Sequence, residues 1–160
     1  DVGIIQLPCP ELTYWGSDRW MITRDQMDTP EYRKFVRKLI EPYVDMLYEL
    51  QSHGYQLKAL IGVEGSPTCG IYKTIRHPEW KGGYLKELPL PPLVDGRGVF
   101  MEIFISMLEE KNTDIGRAAM PMDSTITAAI REGLLFSLLN SALKDSISSL
   151  LSEFIKHHYF

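Results

Sequence analysis

The chain has 160 residues, a mass of 18.3 kDa and a net charge of −4, with 44% apolar and 24% charged residues. A chain of this size supports one domain burying about 70% of the surface its unfolded form exposes, and its mild acidity speaks against a nucleic-acid surface, which needs clustered Lys and Arg. Two cysteines rule out a disulfide scaffold and an all-cysteine zinc site, and no apolar run reaches the roughly 18 residues that a bilayer span takes.

Asp1-Val2-Gly3-Ile4-Ile5 opens the chain without an initiator Met or the basic and apolar regions of a signal peptide, which reads as a fragment or processed form of a cytoplasmic protein. Val2 to Leu7 is an apolar run stopped by Pro8-Cys9-Pro10, and predicts a strand covered on both faces, as in a parallel sheet. At Thr29-Pro30-Glu31 a capping Thr, a Pro suited to the first helical position and an acid at the positive dipole end predict a helix start. Tyr32, Phe35, Val36, Leu39, Ile40, Tyr43, Val44, Leu47 and Leu50 follow with helical spacing. Pro42 predicts a kink or a restart, and Gly54 the end. Leu57 to Val63 predicts a second buried strand, so that strand, helix and strand make a parallel crossover unit.

Residues 71–97, with Gly82-Gly83 and Leu88-Pro89-Leu90-Pro91-Pro92, read as mostly loop of polyproline character, a surface connection rather than a lid. Phe100, Ile103, Phe104, Met107 and Leu108 mark a helix from Val99, and Ile115 to Met120 a third strand closed by Pro121. From Ser124 to about His157 the apolar face of Ile126, Ile130, Leu134, Leu138, Leu143, Ile147, Leu151 and Phe154 predicts one long helix or two joined ones. That face packs either on its own domain or on a second copy, giving a homodimer. The expected fold class is α/β: a short parallel β-sheet with flanking helices in a Rossmann-like three-layer arrangement, plus a C-terminal helical extension.

Both cysteines then fall just past the carboxyl end of a predicted parallel strand, Cys9 after the first and Cys69 after the second. That edge is where open parallel sheets bind ligands. The pair reads as a disulfide, as two buried structural thiols, or as part of a metal or cluster site. Pro or Gly beside each cysteine leaves backbone N–H groups able to turn toward sulfur. Two thiolates do not close a metal site, so an iron–sulfur cluster here needs a third ligand from elsewhere. Gly65 to Thr74 is not a nucleotide phosphate loop, because Ile71 and Tyr72 separate Gly70 from Lys73 and Pro67 removes an amide.

The segments Leu7-Pro8-Cys9-Pro10-Glu11-Leu12 and Gly65-Ser66-Pro67-Thr68-Cys69-Gly70, with the predicted strand before each, resemble the DUF523 domain of the thiouracil desulfurase (TudS) group, and more closely its TudS-related desulfidase branch. Gly16, Arg19-Trp20, Asp28-Thr29-Pro30-Glu31 and Lys73-Thr74 fit the same branch. The resemblance covers about residues 1–123 and leaves 124–160 as an extension. It implies a small-molecule desulfidase in which three cysteines hold a 4Fe–4S cluster and the fourth iron, open, takes sulfur from a thiolated, thiouracil-like compound without net redox chemistry. Carried over by motif, Cys9 and Cys69 are two of the ligands, and Glu11 and Ser66 are candidates for proton transfer and substrate orientation. The family's first cysteine has no counterpart in this sequence, which implies an N-terminally shortened domain.

Each residue also has a plainer reading. Glu11 reads as a solvated loop acid and Ser66 as a turn cap. Tyr14, Trp15 and Trp20 form an aromatic wall for a flat heterocycle or pack beneath the loop. Arg19 meets an anionic substrate group or a surface acid, and Lys73 anchors substrate or covers a helix end. His53, His77, His157 and His158 show no ligand spacing. The rival to the desulfidase is a non-enzymatic ligand-binding or helix-mediated assembly module without a cluster; a thiol redox protein is a third reading.

Overall fold

The computed structural model describes residues 3–19, 22–80 and 91–120. In order they carry α1 (Pro10–Trp15), α2 (Arg24–Met27), α3 (Pro30–Ser52), β1 (Leu60–Val63), β2 (Lys73–Ile75), β3 (Leu93–Asp95), α4 (Val99–Glu110) and β4 (Arg117–Met120). Two compact units divide the chain: Asp1–Gln6 with Met120–Phe160, and Leu7–Ala119. Of the first, only residues 3–6 and the backbone of Met120 are described; residues 3–6 are irregular.

α3 begins as its sequence dictates. Thr29 is the N-cap, its Oγ1 accepting from Tyr32 N at 3.2 Å, and Pro30 and Glu31 fill the first turn. Tyr32, Val36, Ile40, Val44 and Leu47 lie buried along one side. The helix runs unbroken through Pro42, so the expected restart does not occur. Proline forfeits one backbone bond there, and burial of Ile40, Val44 and Leu47 around it offsets the loss. Past the helix end, Gly54 takes a φ of +85°, and Tyr55 N reaches back to Leu50 O at 3.1 Å.

α4 packs against α3. Val99, Phe100, Met101, Ile103, Phe104, Ile105 and Leu108 are all buried, more than one face can account for, so α4 is a core helix rather than an amphipathic surface one. β1 pairs with β4 in a short parallel sheet, with Leu60 N donating to Gly116 O at 2.7 Å. The strand–helix–strand unit is therefore β1, α4 and β4, one step later in the chain than the periodicity predicts.

Two further expectations need correction. Residues 3–7 do not form the predicted first strand: Ile4 is 64% and Ile5 41% exposed. An apolar run becomes a strand only where a neighbour offers a ladder, and Pro8 and Pro10 remove two donors at its end. Residues 71–97 hold more than loop, since β2 and β3 pair antiparallel with Lys73 opposite Asp95 and Ile75 opposite Leu93. Residues 81–90, and the helix and dimer contact predicted over 124–160, lie outside the described residues. Among the described residues no helix is long and apolar enough to cross a membrane.

The first turn of α4 grips the segment that carries Cys69. Gly98 N donates to Gly70 O at 2.9 Å, Val99 N to Pro67 O at 3.0 Å and Met101 N to Thr68 O at 3.1 Å. These donors belong to the set that a helix start leaves unpaired. A Cβ on Gly98 would collide with the backbone of Thr68 and Cys69, so the approach requires glycine. On another side, Arg24 and Arg33 share Asp28 and Glu102. Arg24 Nη2 lies 3.1 Å from Asp28 Oδ2 and 2.6 Å from Glu102 Oε2, while Arg33 Nη2 lies 2.8 Å from Glu102 Oε1. This network ties α2, α3 and α4 together.

Gly98→Ala is expected to lower stability by about 1–3 kcal/mol, because backbone on both sides must move; urea unfolding measures it. The hydrogen bond from Arg33 holds the Asp28 carboxyl below its ordinary value of 3.8 against the opposing effect of burial, and the charges of Arg33 and Arg24 add to the depression. A depressed carboxyl contributes stability above its unfolded value and loses it as pH falls through the folded one. Asp28→Asn should therefore cost about 1–2 kcal/mol at neutral pH, and its gap from wild type should close below about pH 4.

Candidate functional site

Pro8-Cys9-Pro10-Glu11 folds as a helix start. Cys9 is the N-cap of α1, its Sγ accepting from Leu12 N at 3.4 Å, with Pro10 and Glu11 in the first turn. Cys9 thus follows irregular chain and caps a short helix, instead of ending a strand. Cys69 does follow a strand. After β1 the chain turns on itself: Ser66 N donates to Val63 O at 3.2 Å, Gly70 N to Ser66 O at 3.2 Å, and Val63 N to Cys69 O at 3.0 Å. Ser66 is buried, and its Oγ accepts from Cys69 N at 3.0 Å and Thr68 N at 3.3 Å. Its hydroxyl therefore shapes the cysteine turn.

Thr68 joins the two motifs. Its Oγ1 lies 2.6 Å from Glu11 Oε1 and 3.5 Å from Cys69 Sγ. A hydroxyl has one proton to give, and the close carboxylate takes it. The 3.2 Å contact between Ser66 Oγ and Thr68 Oγ1 must then run with Ser66 as donor. The result is a directed chain, Ser66 to Thr68 to Glu11, with Thr68 still able to accept from the Cys69 thiol. Arg19 Nε donates to Glu11 Oε2 at 3.2 Å. Glu11 thus has both oxygens held and faces the Cys69 turn, rather than standing free in solvent.

Burial pushes the Cys69 thiol up to about 11; the polar side chains of Thr68 and Ser66 beside it offset part of the rise, and the charges of Glu11 and Cys9 add to it. Cys69 is therefore a neutral thiol at pH 7, the opposite of an activated redox cysteine. Cys9 is exposed, and both cysteines are free of any disulfide. Tyr14 is 40% exposed, and its ring stands edge-on to Trp15, Tyr32 and Phe35 at centroid distances of 4.5, 5.2 and 4.9 Å. It is both a wall and a packed ring.

Of the remaining candidates, Lys73 is drawn to Asp95 across the β2–β3 pair, Nζ to Oδ1 3.5 Å. His53 caps α3 and His77 accepts from Trp80 N at 3.1 Å; Trp20, His157 and His158 lie outside the described residues. Two residues that the sequence did not single out belong to the site. Thr68 stood inside the second motif, but nothing in one sequence marks a threonine as the link between motifs. Tyr32 looked like one more apolar position of α3. It is 1% exposed, yet its hydroxyl has no hydrogen-bond partner among the described residues.

Among the described residues no three His, Cys, Asp or Glu side chains gather where a single metal ion could be held. A multi-iron cluster asks for something different, because its ligands attach to separate irons and need not converge on one point. Cys9 and Cys69 suit two such positions: Leu12 N already donates to one sulfur, the other is lined by Thr68 Oγ1, and a buried phenol stands unpaired. The sequence holds two cysteines, so a third thiolate is not among its residues.

The chain is 38% identical over 119 residues to uncharacterized protein MJ0003 of Methanocaldococcus jannaschii, a match covering 74% of this chain and 62% of that protein. It therefore spans less than two thirds of that relative's length. No family model matches the chain, and no solved structure matches it significantly.

Iodoacetamide labelling followed by mass spectrometry is expected to modify exposed Cys9 ahead of Cys69. The Cys69 rate should climb about tenfold per pH unit above neutrality, as the thiolate fraction grows, and level off near a pH of about 11.

Proposed function

We propose that the chain is the thiol-bearing part of a DUF523-type desulfidase of the thiouracil desulfurase group, acting on a thiolated small molecule such as a thiouracil-like heterocycle. What supports the reading above all is the convergence of Cys9 and Cys69, sixty positions apart, on one carboxylate: Glu11 lies two residues from the first, and Thr68 links it to the second. The balanced reaction exchanges a thiocarbonyl sulfur for the oxygen of water and releases hydrogen sulfide, with no change of oxidation state. When bound, a 4Fe–4S cluster would supply the Lewis acidity that draws off the leaving sulfur.

The chain's own residues do the rest. Cys9 and Cys69 would hold the cluster, losing their thiol protons as they do so. Glu11 accepts the proton of the attacking water, aimed by Thr68 on one oxygen and Arg19 on the other. Ser66 is a positioning residue: its hydroxyl sets the turn of Cys69 and feeds the chain to Glu11. The exposed ring of Tyr14 offers a flat face to the heterocycle, with Arg19 beside Glu11 for an anionic substituent. Lys73 has the least support as a substrate contact, since Asp95 occupies it. The same reading gives residues 1–123 the family's Rossmann-like three-layer domain, places the protein in the cytoplasm, and leaves 124–160 as the extension through which two copies pair.

Full-length protein purified anaerobically is expected to contain about four irons per chain with matching acid-labile sulfide, both lost in Cys9→Ser and Cys69→Ser. Glu11→Gln should keep the iron and slow turnover of thiolated heterocycles about 10²- to 10⁴-fold. Absence of iron after reconstitution would overturn the reading and leave the non-enzymatic binding or assembly module in its place.

A further inference from the structure

Tyr32 sits in the first turn of α3, where Thr29 caps the helix. Tyr14 stands edge-on to its ring at 5.2 Å, while Trp15 at 5.2 Å and Phe35 at 6.0 Å lie tilted against it. These contacts need only a ring, and phenylalanine would make them equally well. The hydroxyl is therefore an additional feature at a position 1% exposed, where a polar group without a partner is costly. Other buried hydroxyls nearby are paired: Thr68 Oγ1 donates to Glu11, and Thr74 Oγ1 to Ser66 O at 3.1 Å.

Three buried polar side-chain atoms among the described residues have no partner: Tyr32 Oη, Thr113 Oγ1 and Arg117 Nε. Thr113 follows α4 and Arg117 lies on β4; only Tyr32 belongs to the surroundings of the two motifs. Cys69 packs against the core cluster of which Tyr32 is part. After burial itself, the groups that bear most on the phenol are Glu11, Cys69 and Cys9, followed by Tyr14. A phenol keeps its proton at neutral pH, so the hydroxyl is a donor. The protein's own acceptors there have other donors: Glu11 accepts from Thr68 and Arg19 and Cys9 Sγ from Leu12 N, and none accepts from Tyr32.

We propose that the Tyr32 hydroxyl is the buried hydrogen-bond donor for an anionic sulfur ligand at the thiol rim, the hydrosulfide that leaves the substrate. The proposal rests on the desulfidase reading and adds to it the residue that recognises the departing group. A buried donor without a partner, on a ring packed against the helix that Cys9 caps and within the cluster against which Cys69 packs, has an incoming anion as its natural acceptor. Its sulfur would meet an O–H supplied by a rigid ring, with no side-chain reordering at the moment of binding.

The test compares full-length wild type with Tyr32→Phe, both purified anaerobically and loaded with iron, by titrating sodium hydrosulfide and following the visible spectrum. The expected result is equal iron content, a thermal midpoint equal to or above wild type, and hydrosulfide binding weakened about tenfold or more. Unchanged binding at equal iron content would overturn the proposal and leave the desulfidase reading standing. A fall in the thermal midpoint, failure to fold or loss of iron in Tyr32→Phe would also overturn it, because the hydroxyl would then serve the fold or cluster assembly. Wild type that takes up no iron would remove the desulfidase reading and this proposal with it.

Discussion

The seating of the Pro67–Gly70 backbone on the first turn of α4 is the constraint on which the rest of the site depends. Three carbonyls of that segment accept from Gly98, Val99 and Met101, so the cysteine turn is held by a helix that is itself buried on nearly every side. The arrangement answers two needs at once. The helix start finds partners for its free donors, and the turn acquires an orientation set by the core rather than by solvent. Glycine at position 98 makes the approach close enough, and Ser66 completes it from within the turn through the amides of Thr68 and Cys69. Once those amides are fixed, Thr68 has little choice of direction, and the 2.6 Å bond to Glu11 follows.

Glu11 and Cys9 reach the same place by a different route. α1 has six residues, too few to be stable alone. It is held by tertiary contacts: Tyr14 and Trp15 on the aromatic group of α3, and Glu11 on Thr68 and Arg19. The site is therefore the meeting of a rigid half, built on α4, with a lighter half that leans on it. Ion pairs elsewhere support this division. The Arg24, Arg33, Asp28 and Glu102 network joins α2 to α3 and α4 and fixes the start of the helix that carries Tyr32.

How much of this was legible in the sequence depended on whether a signal was local. Thr29-Pro30 and the stripe that follows located α3 to the residue, because capping and periodicity act within a few positions. The same holds for the start of α4 at Val99, while the runs Leu57 to Val63 and Ile115 to Met120 contain the strands Leu60–Val63 and Arg117–Met120 and overrun their starts by three and two residues. The run from Val2 to Leu7 misled, because an apolar run specifies a strand only together with a partner, and partners are a tertiary fact. β2 and β3 escaped notice for the converse reason: short, half-exposed segments flanked by Pro and Gly carry no period until they pair. At the site, both cysteines and Glu11 stood out by chemistry. Thr68 and Tyr32 did not, since a threonine in a turn and a tyrosine in a helical stripe look the same whether or not they face a ligand.

Local rules and global fold agree through most of the described chain, and where a folded protein departs from such agreement the departure tends to sit where it acts. Cys69 is a thiol kept neutral by burial, although beside it lie a chain of hydroxyls and a carboxylate. Tyr32 carries a hydroxyl that its packing does not need. A protein selected for stability alone would have placed serine or alanine at the first and phenylalanine at the second. Both lie beside α1, the helix that Cys9 caps and that carries Glu11: Thr68 joins Cys69 to Glu11, and the Tyr32 ring packs on Tyr14 and Trp15. On the proposed reading, a ligand that binds thiolate and presents an anion would relieve the half-buried Cys69 thiol of its proton and give the phenol an acceptor. The proposed function asks for that coupling: groups in the two motifs complementary to one kind of guest.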